Sequence, residues 1–147
     1  MNAEKDIKGT LMKARMFFVL LFLPLIIYAG IIYFIVPNDL GIAQDSVIIV
    51  LAVIALISLG LGYRLPHIMA KQTRKSVSSA LVQSIIQYGA FESIGVYGLM
   101  LGIMGAGVQI TLPFFLVAAG AMITVFPTEE KIKKLSGISD FEQPEIS

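Results

Sequence analysis

Glu92 is the residue whose type and position in this sequence most directly suggest chemistry. It is the one charged residue inside the long apolar segments, and the chain around it reads QYGAFESIGVYGLML over residues 87–101. A charged side chain at the centre of a bilayer costs at least about 2.5–3.5 kcal/mol on insertion scales, so it usually faces protein or water and has a function. The chain has ten acidic residues, and all the others fall in predicted tails or loops. Glu92 is therefore the candidate ion-binding residue.

Three roles for the Glu92 carboxyl are consistent with the sequence. It can bind and release a proton or a small cation during transport, because burial disfavours the charged form until water or a cation reaches it. It can be a neutral structural acid that donates a hydrogen bond to a neighbouring helix. It can pair with a basic residue of another subunit. A salt bridge within the chain's own apolar segments is excluded, because those segments contain no Lys or Arg.

The elements that must position Glu92 are apolar helices. The 147 residues are 56% hydrophobic and 14% charged, with a mean hydropathy of +0.84. The apolar runs approach the roughly 20 residues that a helix needs to cross a hydrocarbon layer of about 30 Å. They cover residues 16–36, 47–63, 84–107 and 109–126. We therefore predict an all-α fold, an integral membrane four-helix bundle. It forms a single domain over residues 1–147, with a cytoplasmic loop at 64–83 and a flexible tail at 136–147.

The basic residues predict the orientation of these helices. All eleven lie in three groups: Lys5, Lys8, Lys13 and Arg15; Arg64, Lys71, Arg74 and Lys75; Lys131, Lys133 and Lys134. Because cytoplasmic loops carry an excess of Lys and Arg, we expect both termini and the central loop in the cytoplasm. The chain would then be a multi-pass protein of the cytoplasmic (inner) membrane. The bases of the central loop either retain it inside or bind anionic lipid headgroups or an acidic partner.

The start of the chain has two interpretations, a cleaved signal peptide or a first membrane helix. The first apolar run is too long for the apolar core of a signal peptide, and no small-x-small cleavage site clearly follows it. We interpret it as an uncleaved first helix.

Small residues follow Glu92 at helical spacing. At about 100° per residue, one arc of the third helix holds Gly95, Gly98, Gly102 and Gly105 together with Ala106. Gly98 and Gly102 form a GxxxG pair, which allows close contact between membrane helices. Glu92 lies at the edge of this arc, about 40–60° from its nearest members. The glycine face can pack within the chain's own bundle or form the interface of a ring or oligomer, and the pattern does not choose between them.

One segment also resembles a known family. Residues 90–101, AFESIGVYGLML, are similar to the carboxyl-bearing helix of the proteolipid, or c subunit, of rotary ATP synthases and vacuolar-type ATPases. The preceding GLGYRLP, residues 60–66, resembles more faintly the glycine-rich helix end and cytoplasmic turn of that family. The resemblance implies that Glu92 is an ion-carrying carboxylate, that Arg64 and Pro66 mark the turn that meets a rotor stalk, and that the glycines pack a ring.

The resemblance is limited in extent. It covers about residues 60–105, and the family's Gln in the turn is replaced here by Leu65. The segment from Pro66 to Glu92 is longer than the compact hairpin of that family. The other half of the chain matches no second proteolipid hairpin.

Other functional classes find little support in the residues. The chain has no Cys, its single His67 stands beside Pro66, and it has neither a GxGxxG nor a GxxxxGK motif. We expect a non-enzymatic protein without catalytic residues, cofactor, metal site or nucleic-acid partner. Its expected partners are the lipid bilayer and either further copies of itself or a larger membrane complex. The alternative is a structural or assembly subunit with no transport role, in which Glu92 is a neutral packing acid.

Overall fold

The computed structural model describes residues 2–34, 45–72 and 76–136, and this part of the chain is helical throughout, with short connections and no strand. The helices are α1 (Asn2–Phe34), α2 (Asp45–Gln72), α3 (Val77–Ile103), α4 (Gly107–Thr124) and α5 (Glu129–Ser136). The prediction of an all-α fold is confirmed.

Within the described ranges, three helical segments are long and apolar enough to cross a membrane. They are Lys5–Phe34, Asp45–Met69 and Gly107–Thr124. They are compatible with a membrane protein, as the composition predicted. Helix α3 is long enough as well but less apolar, because it carries Gln83, Gln87 and Glu92 along its length. Among the four long helices that the structure describes, the helix with the candidate residue is thus the one without such a segment.

Helix α3 lies at the centre of the fold and packs against α1, α2 and α4. It runs parallel to α1, since Phe18 contacts Tyr88 near one end and Ile32 lies against Gly102 near the other. It runs antiparallel to α2, because Gly62 is next to Gln87 whereas Val50 and Met100 line one groove at the opposite end. The central position explains its composition: the surrounding apolar helices shield its polar side chains.

Three prolines lie inside helices, and one of them changes the predicted boundaries. Helix α2 continues through Arg64 and Pro66 to Gln72, so the loop predicted at 64–83 is helical in most of its described part. Proline at position 66 removes the N–H that would bond the carbonyl of Gly62. The side-chain amide of Gln87 supplies the missing donor, with Nε2 at 3.0 Å from that carbonyl oxygen. The helix therefore does not need to end at the proline.

The start of α3 is set by a capping box. The Ser76 side chain accepts a hydrogen bond from the Ser79 N–H at 3.1 Å, and the Ser79 side chain accepts one from the Ser76 N–H at 3.2 Å. This reciprocal pair satisfies two backbone donors at the helix end. Helix α3 thus begins at Val77 instead of at residue 84.

The end of α3 comes before the predicted residue 107. Gly105 has a φ of 83°, in the left-handed region that favours glycine. Its N–H bonds the carbonyl of Gly102 at 2.9 Å, while the N–H of Ala106 bonds the carbonyl of Leu101 at 3.0 Å. This is a Schellman C-cap. Gly105 therefore ends the helix, and it is buried there.

The end of the fold that carries many of the basic residues also holds a small apolar cluster. Ile7 and Ala14 of α1 are buried against Ile132 of α5, with Leu11, Val77 and Leu81 packed around them. Lys131 donates to the carbonyl oxygens of Thr124 at 2.8 Å and Phe126 at 3.3 Å, where a cation stabilises the end of α4. This packing explains why α1 begins at Asn2 rather than Met16. The remainder of the predicted tail, residues 137–147, lies outside the described residues.

Candidate ion-binding site around Glu92

The Glu92 carboxyl meets a hydroxyl from the first helix. Glu92 is partly buried on α3, and the Tyr28 O–H of α1 donates to its Oε1 at 3.4 Å. An O–H···O hydrogen bond is most often 2.7–2.8 Å long, so this one is long and weak as it stands. Tyr28 was not among the residues that the sequence predicted. The phenol of Tyr28 stands in an otherwise apolar run and could have marked it as a candidate. The sequence could not link it to Glu92, because 64 positions separate the two residues.

The interior next to this pair is apolar. Tyr88, Phe91 and Ile94 of α3 are at most 1% exposed and form part of the main hydrophobic cluster. Tyr88 packs edge-on against Phe18, with ring centroids 5.6 Å apart. A carboxyl beside such a cluster has little water on its protein side, which strengthens every electrostatic interaction it makes.

Nearby hydroxyls are held by their own helix. The Ser93 hydroxyl donates to the Ala90 carbonyl at 2.8 Å, and the Ser84 hydroxyl donates to the Ala80 carbonyl at 3.0 Å. Both follow the usual pattern of serine inside a helix. Neither bonds to Glu92, so Tyr28 is the carboxyl's hydrogen-bond partner in the described part of the chain.

The charge of a deprotonated Glu92 has no ion-pair partner among the described residues. An ion pair elsewhere in the described chain joins Lys133 to Glu129 at 3.2 Å, within α5. Across the same residues, no group of three or more His, Asp or Glu side chains could hold a metal ion. The chemistry available at the site is thus that of one carboxyl and one phenol hydroxyl.

Three glycines of the predicted packing face are buried by the same chain. A Cβ added at Gly95 would meet Leu25 of α1, and one added at Gly102 would meet Ile32 of α1. At Gly98 it would lie 2.8 Å from the Cβ of Phe114 and 3.3 Å from the carbonyl oxygen of Thr111 in α4. Gly95, Gly98 and Gly102 therefore let α1 and α4 approach α3, and their surfaces are occupied within the chain.

Gln87 and its neighbours hold α2 against α3. A Cβ at Gly62 would overlap the ring of Phe91, which is fully buried. The same glycine offers the carbonyl that Gln87 bonds. Arg64 and Pro66, which the proteolipid resemblance puts in a turn, stand inside α2, two and four residues after Gly62. One turn before Gln87, the side chain of Gln83 is only 2% exposed and its Oε1 has no hydrogen-bond partner.

Comparison of the chain with protein family models, with curated protein sequences and with solved structures gave no match.

Proposed function

We propose that this chain is a small, non-enzymatic component of a membrane complex, and that Glu92 binds and releases a proton or small cation. In this proposal the protein is a four-helix bundle in the cytoplasmic (inner) membrane, with both termini in the cytoplasm. It resembles a proteolipid in that it carries one carboxyl on a glycine-rich helix. The proposal does not include assembly into a ring.

The contact between Glu92 and Tyr28 carries the proposal. A carboxyl that served only to pack would be expected to have a short, fully satisfied hydrogen bond, because unsatisfied polar groups in apolar surroundings are costly. The one hydrogen bond to Glu92 among the described residues, from Tyr28, is 3.4 Å long, and the Glu92 side chain is partly exposed on the surface of α3. Such a group has oxygen lone pairs left for an ion.

The proposed orientation is supported by the distribution of charge along antiparallel helices. Arg15 lies where α1 meets the end of α4, and its Nε is 3.5 Å from the carbonyl oxygen of Pro127. Arg64 follows on α2 close to Gly62, which contacts the N-terminal half of α3. The apolar end at Ile103 and Gly107 carries no basic residue. By the positive-inside rule the basic end faces the cytoplasm.

Dicyclohexylcarbodiimide labelling tests the function. This reagent is apolar and attacks protonated carboxyls in membrane interiors, so we expect it to modify Glu92 in the purified protein. Glu129 and Glu130, which are exposed on α5, serve as internal controls and should stay unmodified. In the variant Glu92→Gln the labelled peptide should disappear while the yield of inserted protein is unchanged. Failure to label Glu92 under conditions that label a known proteolipid would contradict the proposal.

A structural or assembly subunit is the second candidate. It is favoured by the way Gly95, Gly98 and Gly102 are filled by the chain's own α1 and α4, which leaves those glycines with no surface for a ring. In that role Glu92 is a neutral acid that links α3 to α1. This alternative predicts that the chain copurifies with a larger complex at low stoichiometry and that Glu92→Gln is tolerated. The native mass after mild detergent extraction distinguishes such a subunit from a large homo-oligomer.

A further inference from the structure

We propose that Glu92 and Tyr28 act as a pair that binds a proton and not a metal cation, with the Tyr28 hydroxyl tuning how readily the proton is released. This inference rests on the proposed function and narrows it to one ion. Tyr28 lies on α1, outside residues 60–105, so its part follows from the observed contact and not from the proteolipid resemblance.

The oxygens around Glu92 suit a proton. Hard cations require several oxygen ligands, about six for Mg²⁺ and six to eight for Ca²⁺. Counting the Ser93 oxygen, which donates its proton to the Ala90 carbonyl and keeps its lone pairs, the described hydrogen bonds give the site at most four side-chain oxygens: two of the carboxyl, one phenol and one hydroxyl. The carbonyl of Gly62, which Pro66 leaves without its helical donor, is bonded by Gln87. A proton needs only one oxygen and one hydrogen-bond partner.

Among the described residues that pack around the pair, no other charged side chain faces the Glu92 carboxyl. From α1 the titratable side chain facing Glu92 is Tyr28. On α3, Tyr88 is buried against Phe18, and from α2 the ring of Tyr63 contacts Phe91 instead. Helix α4 contains no acidic, basic, His or Tyr residue. The charge of the site is therefore that of the Glu92 carboxyl alone.

Tyr28 interacts differently with the two states of the carboxyl. When hydronium delivers a proton, one O–H bond forms on Glu92, water is released, and the charge of the site changes from −1 to zero. The Tyr28 O–H can donate to a carboxyl oxygen both before and after Glu92 is protonated. The hydrogen bond to the ionised carboxylate is charge-assisted and about twice as strong. Tyr28 therefore favours the ionised form, which eases release of the proton in apolar surroundings.

Gly89 leaves open space on the surface of α3, one helical turn before the carboxyl. It precedes Glu92 by one helical turn on the same side of α3, because residues three apart are neighbours on a helix. A Cβ built at Gly89 would have no atom within 4 Å. The surface next to the pair is thus open on the side toward the N-terminal end of α3.

The test is the pH dependence of carbodiimide labelling at Glu92 in the purified full-length chain. The labelling rate should fall as pH rises, since only the protonated carboxyl reacts. In Tyr28→Phe, which keeps the ring and loses the hydroxyl, the midpoint should move up by about one pH unit, a tenfold change in proton affinity. Tyr33→Phe is the control, because Tyr33 is exposed on the same helix and contacts Phe34. Excess sodium or calcium chloride at constant pH should leave the rate unchanged.

The possible outcomes separate the inference from the function on which it rests. Labelling that titrates but is slowed by sodium or calcium would overturn the assignment to a proton. An unchanged midpoint in Tyr28→Phe would overturn the role of Tyr28. If that variant does not fold, 3-fluorotyrosine introduced at position 28 should shift the midpoint downward, because it is a stronger donor of nearly the same size. Absent or pH-independent labelling would instead contradict the proposed function.

Discussion

Gln87 donates a hydrogen bond of 3.0 Å to the main-chain carbonyl of Gly62, a carbonyl that has lost its helical donor to proline at position 66. A side chain of the central helix thus completes the backbone of its neighbour. In an apolar setting this matters because an unsatisfied carbonyl costs several kcal/mol. The bond also fixes the register of α2 on α3 near the buried Phe91, which directly precedes Glu92.

Removing the Gln87 amide should loosen α2. We expect Gln87→Met to lower the free energy of unfolding in mixed detergent micelles by about 1–2 kcal/mol, the range found for polar contacts between membrane helices. Pro66→Ala should restore the helical N–H to the Gly62 carbonyl. In the Pro66→Ala variant, Gln87→Met should therefore lower the free energy of unfolding much less. The double-mutant cycle should then show a coupling energy of at least about 0.5 kcal/mol. Strictly additive effects would show that Gln87 does not replace the missing donor.

Gly98 should tolerate no side chain. A Cβ there would lie 2.8 Å from the Cβ of Phe114 and close to the Thr111 carbonyl, atoms that cannot rotate away. Gly98→Ala should therefore reduce the free energy of unfolding by about 1–3 kcal/mol, the usual cost of overpacking. Gly89→Ala on the same helix is the matched control, because its Cβ would meet nothing within 4 Å. There the better helix propensity of alanine should leave stability equal or higher. Equal effects at both positions would argue against the close contact of α3 with α4.

Hydropathy predicted the apolar helices and the lone Glu92, because both depend on local composition. It did not predict that α2 continues past Pro66, since the compensating donor is Gln87, 25 positions away. The early start of α1 likewise depends on burial of Ile7 against α5, a contact between the two ends of the described chain. The glycine pattern indicated that α3 packs closely against another helix, but not which helix that is. These three features share one cause, since each depends on a residue distant in sequence, whereas the two ends of α3 are set locally by the Ser76 capping box and by Gly105.

The absence of Cys allows a clean test of orientation with single cysteines. Ser78, Glu130, Asp45 and Gln109 are all exposed. We expect cysteines at Ser78 and Glu130 to react with a membrane-impermeant maleimide only from the cytoplasmic side. Cysteines at Asp45 and Gln109 should react only from the opposite side. Labelling of Ser78 and Gln109 from the same side would show that α3 does not cross the membrane.

The central claim is that the Glu92 carboxyl changes its protonation state in the membrane. The most direct test is the ¹³C chemical shift of its carboxyl carbon, measured by solid-state NMR in lipid bilayers across a range of pH, with Glu92→Gln to assign the signal. We expect one reversible transition between the shifts of a protonated and an ionised carboxyl, displaced in Tyr28→Phe and unaffected by sodium. A shift that stays at the protonated value throughout would mean that Glu92 is a neutral packing acid, and would contradict the account.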